Sequence, residues 1–117
     1  MTNLTYTRKD DGVVVKRERI HDMAKSTFLG RFKVIDMGVR IVVKNNKKTA
    51  ISLTLKDQIP ISSDEEIEIT AVKISKAHHN TKTGELTWNE NLASGETKVY
   101  EIRYSVKYPK NKKLANF

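Results

Sequence analysis

Among residue types able to do chemistry, the histidines come first: His78 and His79 are adjacent, and His21 completes the chain's 3. Neighbours on an extended strand point to opposite faces, so His78 and His79 do not close on one metal ion, and no third ligand lies at a recognisable spacing. Two surface histidines are the expected reading. Serine, histidine and aspartate all occur, but no G-x-S-x-G elbow or comparable tight turn presents a serine nucleophile. The absence of cysteine removes thiolate catalysis, disulfides and Cys-based zinc sites together. Asp64, Glu65, Glu66 and Glu68 form the densest carboxylate run. Glycosidic acid and base work needs two carboxyls facing each other across a cleft, and a calcium loop needs a glycine turn that brings a backbone carbonyl onto the ion. This run has no glycine, so a solvated turn is expected. The five glycines stand apart at positions 12, 30, 38, 84 and 95, which leaves no loop to cradle a phosphate. No catalytic, cofactor-binding or metal-binding residue is assigned, the chain is expected not to be an enzyme, and residue types alone name no binding residue.

Aromatic residues raise a different chemistry. Trp88, Tyr100, Tyr104 and Tyr108 lie near lysines, and exposed rings beside cations stack bases or sugars. The tyrosines share their stripe with Ile102 and Val106, however, and a mixed aliphatic and aromatic face is expected in a core. The formal charge of +8 is also divided: residues 1–60 carry 13 Lys/Arg against 6 Asp/Glu, residues 61–106 carry 5 against 8, and residues 107–117 carry 4 against none. Lys107, Lys110, Lys112 and Lys113 supply the last group, and residues 109–117 read as a flexible basic tail. Nucleic acid is disfavoured as a partner, because contact with it or with another anionic surface requires the charges to gather on one face.

Elements that must position these residues show period-two alternation, broken every eight to twelve residues by Asn, Gly, Ser or Pro clusters. Leu4 to Arg8 reads as an edge strand, and after Asp10-Asp11-Gly12 the run Val13 to Ile20 is expected to pair with it as a hairpin. Met23 to Arg31 is the least regular stretch, equally compatible with a helical turn, a loop ending at Gly30 or a strand. Val39, Ile41 and Val43 form one apolar face, and beyond Asn45-Asn46-Lys47-Lys48 the alternation resumes with Ile51, Leu53 and Leu55, which predicts a second hairpin. Pro60 ends that run. Ile67, Ile69 and Ala71 share a face from which Val72 and Ile74 depart, so a β-bulge or a doubly buried strand is expected near Ala71. Leu86 and Trp88 face inward after the turn at Thr83-Gly84, and a last turn at Ser94-Gly95 leads into the alternating strand from Tyr100 to Tyr108.

About seven short strands with no helix-period segment between them exclude parallel βαβ crossovers. The fold expected is all-β: an antiparallel two-layer β-sandwich of immunoglobulin-like architecture, residues 1–117 forming one domain, with a small barrel as the alternative. The Cys-Trp-Cys core of antibody domains is absent, so that likeness is of architecture. No run approaches the length of apolar sequence that spans a bilayer.

The stretch from Val43 to Ser62, with Asn45-Asn46-Lys47-Lys48 and Asp57-Gln58-Ile59-Pro60 at its ends, resembles the signature of the carboxy-terminal domain of the mucoidy inhibitor A family, a domain of unknown function. Phe28-Leu29-Gly30, Thr83 to Trp88 with Leu92, Ser94 to Thr97, and Tyr104 to Lys110 extend the likeness over roughly residues 13–113. The resemblance implies a β-sandwich at the end of a longer bacterial protein that also holds a separate β region and a coiled-coil hairpin. The family name describes suppression of a mucoid, exopolysaccharide-rich surface, and no catalytic residues carry over. Relatives often bear an export signal, yet no compartment is assigned here. The expected function is a non-catalytic interaction or structural module that binds a protein partner, another domain of its parent or a cell-surface polymer, through loops or a strand edge, without a small-molecule cofactor. The alternative is a nucleic-acid or polyanion-binding domain using the basic first half and C-terminal tail.

Overall fold

The computed structural model describes residues 5–6, 12–20 and 26–111. Among the described residues there are nine strands and no helix: β1 (Thr5–Tyr6), β2 (Val13–Arg19), β3 (Ser26–Leu29), β4 (Phe32–Asn45), β5 (Ile51–Gln58), β6 (Glu68–Lys73), β7 (His78–His79), β8 (Glu85–Leu92) and β9 (Thr97–Pro109). β1 and β7 contain only 2 residues each, and β3 and β7 are additional to the strands expected from the sequence. They build a four-stranded sheet in the order β1-β5-β8-β7 and a five-stranded sheet in the order β2-β4-β9-β6, with β3 pairing the other half of β4. Every pairing is antiparallel. The ladders stay separate, which makes a sandwich and not a barrel.

Alternation places the core between the layers. Val39, Ile41 and Val43 of β4 and Tyr100, Ile102, Tyr104, Val106 and Tyr108 of β9 meet Leu53 and Leu55 of β5 and Leu86, Trp88 and Leu92 of β8, all buried. Each fully buried aliphatic side chain contributes roughly 1.5–3 kcal/mol relative to exposure. Trp88 and Tyr100 rings lie 5.4 Å apart with a 51° tilt, and the Trp88 indole N–H donates to the Ser75 carbonyl at 3.1 Å. The phase slip near Ala71 is a bulge: the β6–β9 register shifts between Ala71 and Lys73, and Val72 is left exposed.

Both expected hairpins are replaced by connections between layers. β1 pairs with β5 and β2 with β4, so the first two strands belong to different sheets. β4 and β5 are likewise in opposite sheets. The reason lies in Asn45, which reads as a turn residue but is fully buried. Its Nδ2 donates to the carbonyls of Thr49 (3.0 Å), Ala93 (3.1 Å) and Leu92 (3.2 Å), and its Oδ1 accepts the Lys47 N–H at 3.0 Å. That side chain satisfies the backbone of a corner that turns from one layer to the other, where a hairpin ladder would have satisfied it. A second corner joins β6 to β7. There Ser75 and Lys76 adopt positive φ of 48° and 64°, and Ser75 Oγ accepts the Glu101 N–H at 2.9 Å and donates to the Glu101 carbonyl at 3.1 Å.

The irregular stretch before Gly30 contains a strand. β3 lies antiparallel to the start of β4, and Leu29 pairs with Phe32 across the two-residue turn Gly30-Arg31. β4 and β9 have 14 and 13 residues against 8 each in β5 and β8. At about 3.4 Å per residue, the five-stranded sheet outruns its partner by roughly 20 Å. Residues 32–37 are half-buried, whereas the later part of β4 alternates with buried positions; Val106 and Tyr108 of β9, which pair with Ile35 and Lys33, stay buried. The molecule is elongated, 55 × 28 × 21 Å.

Candidate interaction surface

Several of the chemically suggestive residues do structural work. His78 is exposed and His79 half-buried, on opposite faces of β7. No group of three or more metal-capable side chains converges among the described residues. Asp64 forms a turn, its N–H donating to Ser62 Oγ at 3.1 Å and its Oδ1 accepting the Glu66 N–H at 2.9 Å. Trp88, Tyr100, Tyr104 and Tyr108 are core residues. His21, Lys112 and Lys113 lie outside the described residues.

Many of the charges are tied down. Arg17 Nε meets Asp57 Oδ2 at 3.0 Å, with the Asp57 side chain fully buried and that of Arg17 22% exposed, so this pair bridges the two sheets. Burial pushes the Asp57 carboxyl up, opposed by the Gln58 N–H and by Arg17. Burial also raises the Tyr104 hydroxyl, against the pull of Arg19 and Arg17. Burial likewise raises the Tyr100 hydroxyl, and the nearby Glu90 carboxylate adds to the effect. On the outer face of the five-stranded sheet, Glu101 meets Lys73 at 3.2 Å, Arg103 at 3.2 Å and Arg40 at 3.6 Å. The Lys73 hydrogen bond, helped by the two arginines, holds its carboxyl below the usual range. Lys56 pairs with Glu85 at 3.7 Å on the other sheet. Among the described cations of the basic first half, Arg17, Arg40 and Lys56 are thus engaged with carboxylates.

Two surface features remain. The first is a groove of about 380 Å³ between the Ile59–Ser62 segment, β6 and the β7–β8 hairpin, lined by Ile59, Ile61, Ile67, Ile69, His79 and Gly84 among others. Gly84 shapes its floor, with φ +80° and no room for a Cβ against the Ile59 carbonyl; its own carbonyl accepts the Ile59 N–H at 2.8 Å.

The second is the projecting β3–β4 tip. Phe28 and Leu29 are 60% and 54% exposed. Lys33 and Lys110 ammoniums lie 5.7 and 5.3 Å from the Phe28 ring centre, and Arg31 and Lys107 lie 4.9 and 4.8 Å from that of Phe32. Such cation–π contacts hold long, flexible side chains near a ring. The Lys110 N–H donates to the Arg31 carbonyl at 2.9 Å, which anchors the turn to the end of β9. On the Phe32 side a pocket of about 200 Å³ is also lined by Glu65, Glu66 and Glu68. Sequence reasoning missed this tip, although Leu29-Gly30-Arg31-Phe32 carries a readable signal: a glycine-bearing two-residue turn flanked by apolar residues.

Comparison with curated proteins and with solved structures gives no match. A family profile described as a domain of unknown function, DUF4139, matches residues 6–110. Since that match spans nearly all of the 117 residues, the chain belongs to the DUF4139 family of domains of unknown function.

Proposed function

We propose that this domain is a non-catalytic interaction module of a mucoidy-inhibitor-like protein, and that it makes contact through the β3–β4 tip. The observation that carries the reading is the pairing of exposure and position. Phe28 and Leu29 lie in solvent beside the β3–β4 turn, with the cations of Lys33 and Lys110 over the Phe28 ring, and exposed large apolar residues rimmed by polar ones mark contact sites. Elsewhere Asn45, Asp57 and Glu101 are engaged in structure, in a corner, with Arg17 and with three cations respectively. A polyanion reading built on the basic first half has Arg17, Arg40 and Lys56 already engaged with carboxylates.

Site-specific photocrosslinking in cells tests the proposal. A benzophenone amino acid at position 28 or 29 is expected to give discrete adducts to protein or to lipid, and one at Asn91, exposed on the other sheet, is expected to give none. Equal adducts at all three positions, or none at the tip, would overturn it.

A further inference from the structure

We infer that the β3–β4 tip is a peripheral membrane contact, inserting Phe28 and Leu29 into the surface of an anionic bilayer while Arg31, Lys33 and Lys110 meet the lipid phosphates. This rests on the reading of the tip as the contact surface and names what it touches. Phe28 and Leu29 are consecutive on a strand, so they point to opposite faces, and both are more than half exposed. A protein partner laid on one face of the sheet would cover one of them. A bilayer surrounds a narrow tip and covers both. The turn is two residues wide and open: a Cβ added at Gly30 would meet nothing within 4 Å.

Cations sit where an interfacial segment needs them. Lys33 and Lys110 lie beside Phe28 and Arg31 beside Phe32, so their stems run along apolar surface while their charged ends reach toward headgroups. Glu65, Glu66 and Glu68 line the pocket shared with Arg31, Phe32 and Lys107. They weaken the field on that flank, so charge alone does not supply the attachment and the apolar pair has to contribute. This requirement separates a membrane from a soluble acidic polymer.

The test uses the whole chain with vesicles of phosphatidylcholine alone or with about 30% phosphatidylglycerol, a fraction that gives a strongly negative surface. Cosedimentation is expected with the anionic vesicles and not with the neutral ones, and it should weaken as salt rises. In Phe28→Trp, lipids brominated in the acyl chain should quench the new indole, whereas Trp88, buried in the core, should be unaffected in the wild type. Lys33→Gln with Lys110→Gln should cost about 30-fold in vesicle affinity, taking about 1 kcal/mol per basic residue near an anionic surface. Phe28→Ser with Leu29→Ser should abolish binding while leaving the melting curve in place. Absence of wild-type binding at low salt, or of bromolipid quenching, would overturn the inference. So would vesicle binding that survives the double serine variant, or equally tight binding of heparin or an oligonucleotide by that variant; either marks an acidic-polymer site. Failure with vesicles alongside protein adducts at positions 28 and 29 would leave the contact surface standing and remove only the membrane.

Discussion

Asn45→Asp replaces one side-chain nitrogen by oxygen at the corner between the layers, and its effect follows from the geometry. In the native protein Nδ2 is within 3.0–3.2 Å of three carbonyl oxygens, and the residue is 0% exposed. The substitution removes both N–H donors, each worth about 1 kcal/mol net, and turns a carboxylate toward those three carbonyls without a cation. A loss of roughly 3–5 kcal/mol at neutral pH is expected, as for other unpaired buried charges, which for a domain of this size lowers Tm by about 15 °C or more. The deficit should depend on pH in a definite direction. A buried, unpaired carboxyl has a raised pKa in the folded state, so the folded protein binds more protons than the unfolded chain between the two pKa values. Stability therefore falls as pH rises through that window. Below the folded pKa the protonated acid regains one donor and part of the loss is recovered. Thermal and urea unfolding at pH 7 and near pH 4.5, compared with Asn45→Ala, measures this. A variant within 1 kcal/mol of wild type at pH 7, or a deficit independent of pH, would refute the role given to Asn45.

Trp88→Ala or Tyr104→Ala should each cost about 3–5 kcal/mol, as large core aromatics do, and melting like the wild type would place those rings outside the core. Gly84→Ala should destabilise by at least about 1–3 kcal/mol, since it combines a positive φ with overlap of the Ile59 carbonyl; an unchanged Tm would contradict that packing. Arg17→Met should cost about 3 kcal/mol, the low end for breaking a buried pair because Arg17 is 22% exposed. The double variant Arg17→Met with Asp57→Leu should recover most of it, and denaturant melts of both decide the point. The Arg17→Met deficit should shrink as pH falls, because Asp57, already raised by burial, rises further without its cation and loses its charge sooner.

Inward-facing residues were legible in the sequence, because a strand with one buried face must alternate. Val39, Ile41, Val43 and the run from Tyr100 to Tyr108 are buried as their spacing required. The pairing of strands was not legible. Residues of β4 and β5 point at the same core from opposite layers, so their alternation is the same as that of a hairpin, and the distinction rests on the carbonyls that Asn45 reaches. Ser75 escaped notice for a similar reason: its partner, Glu101, is 26 residues away. The tip was obscured by the rule that apolar residues go inside. Phe28 and Leu29 break it, and nothing in their spacing distinguishes exposure from burial.

Because the chain has no cysteine, Leu29→Cys and Asn91→Cys can each carry a single environment-sensitive fluorophore, and the most direct test of the contact surface is their emission on mixing with a cell lysate that retains its membranes. A blue shift at position 29 with none at position 91 is the expected result. No change at position 29, or the same shift at both positions, would contradict a domain that makes contact through the β3–β4 tip.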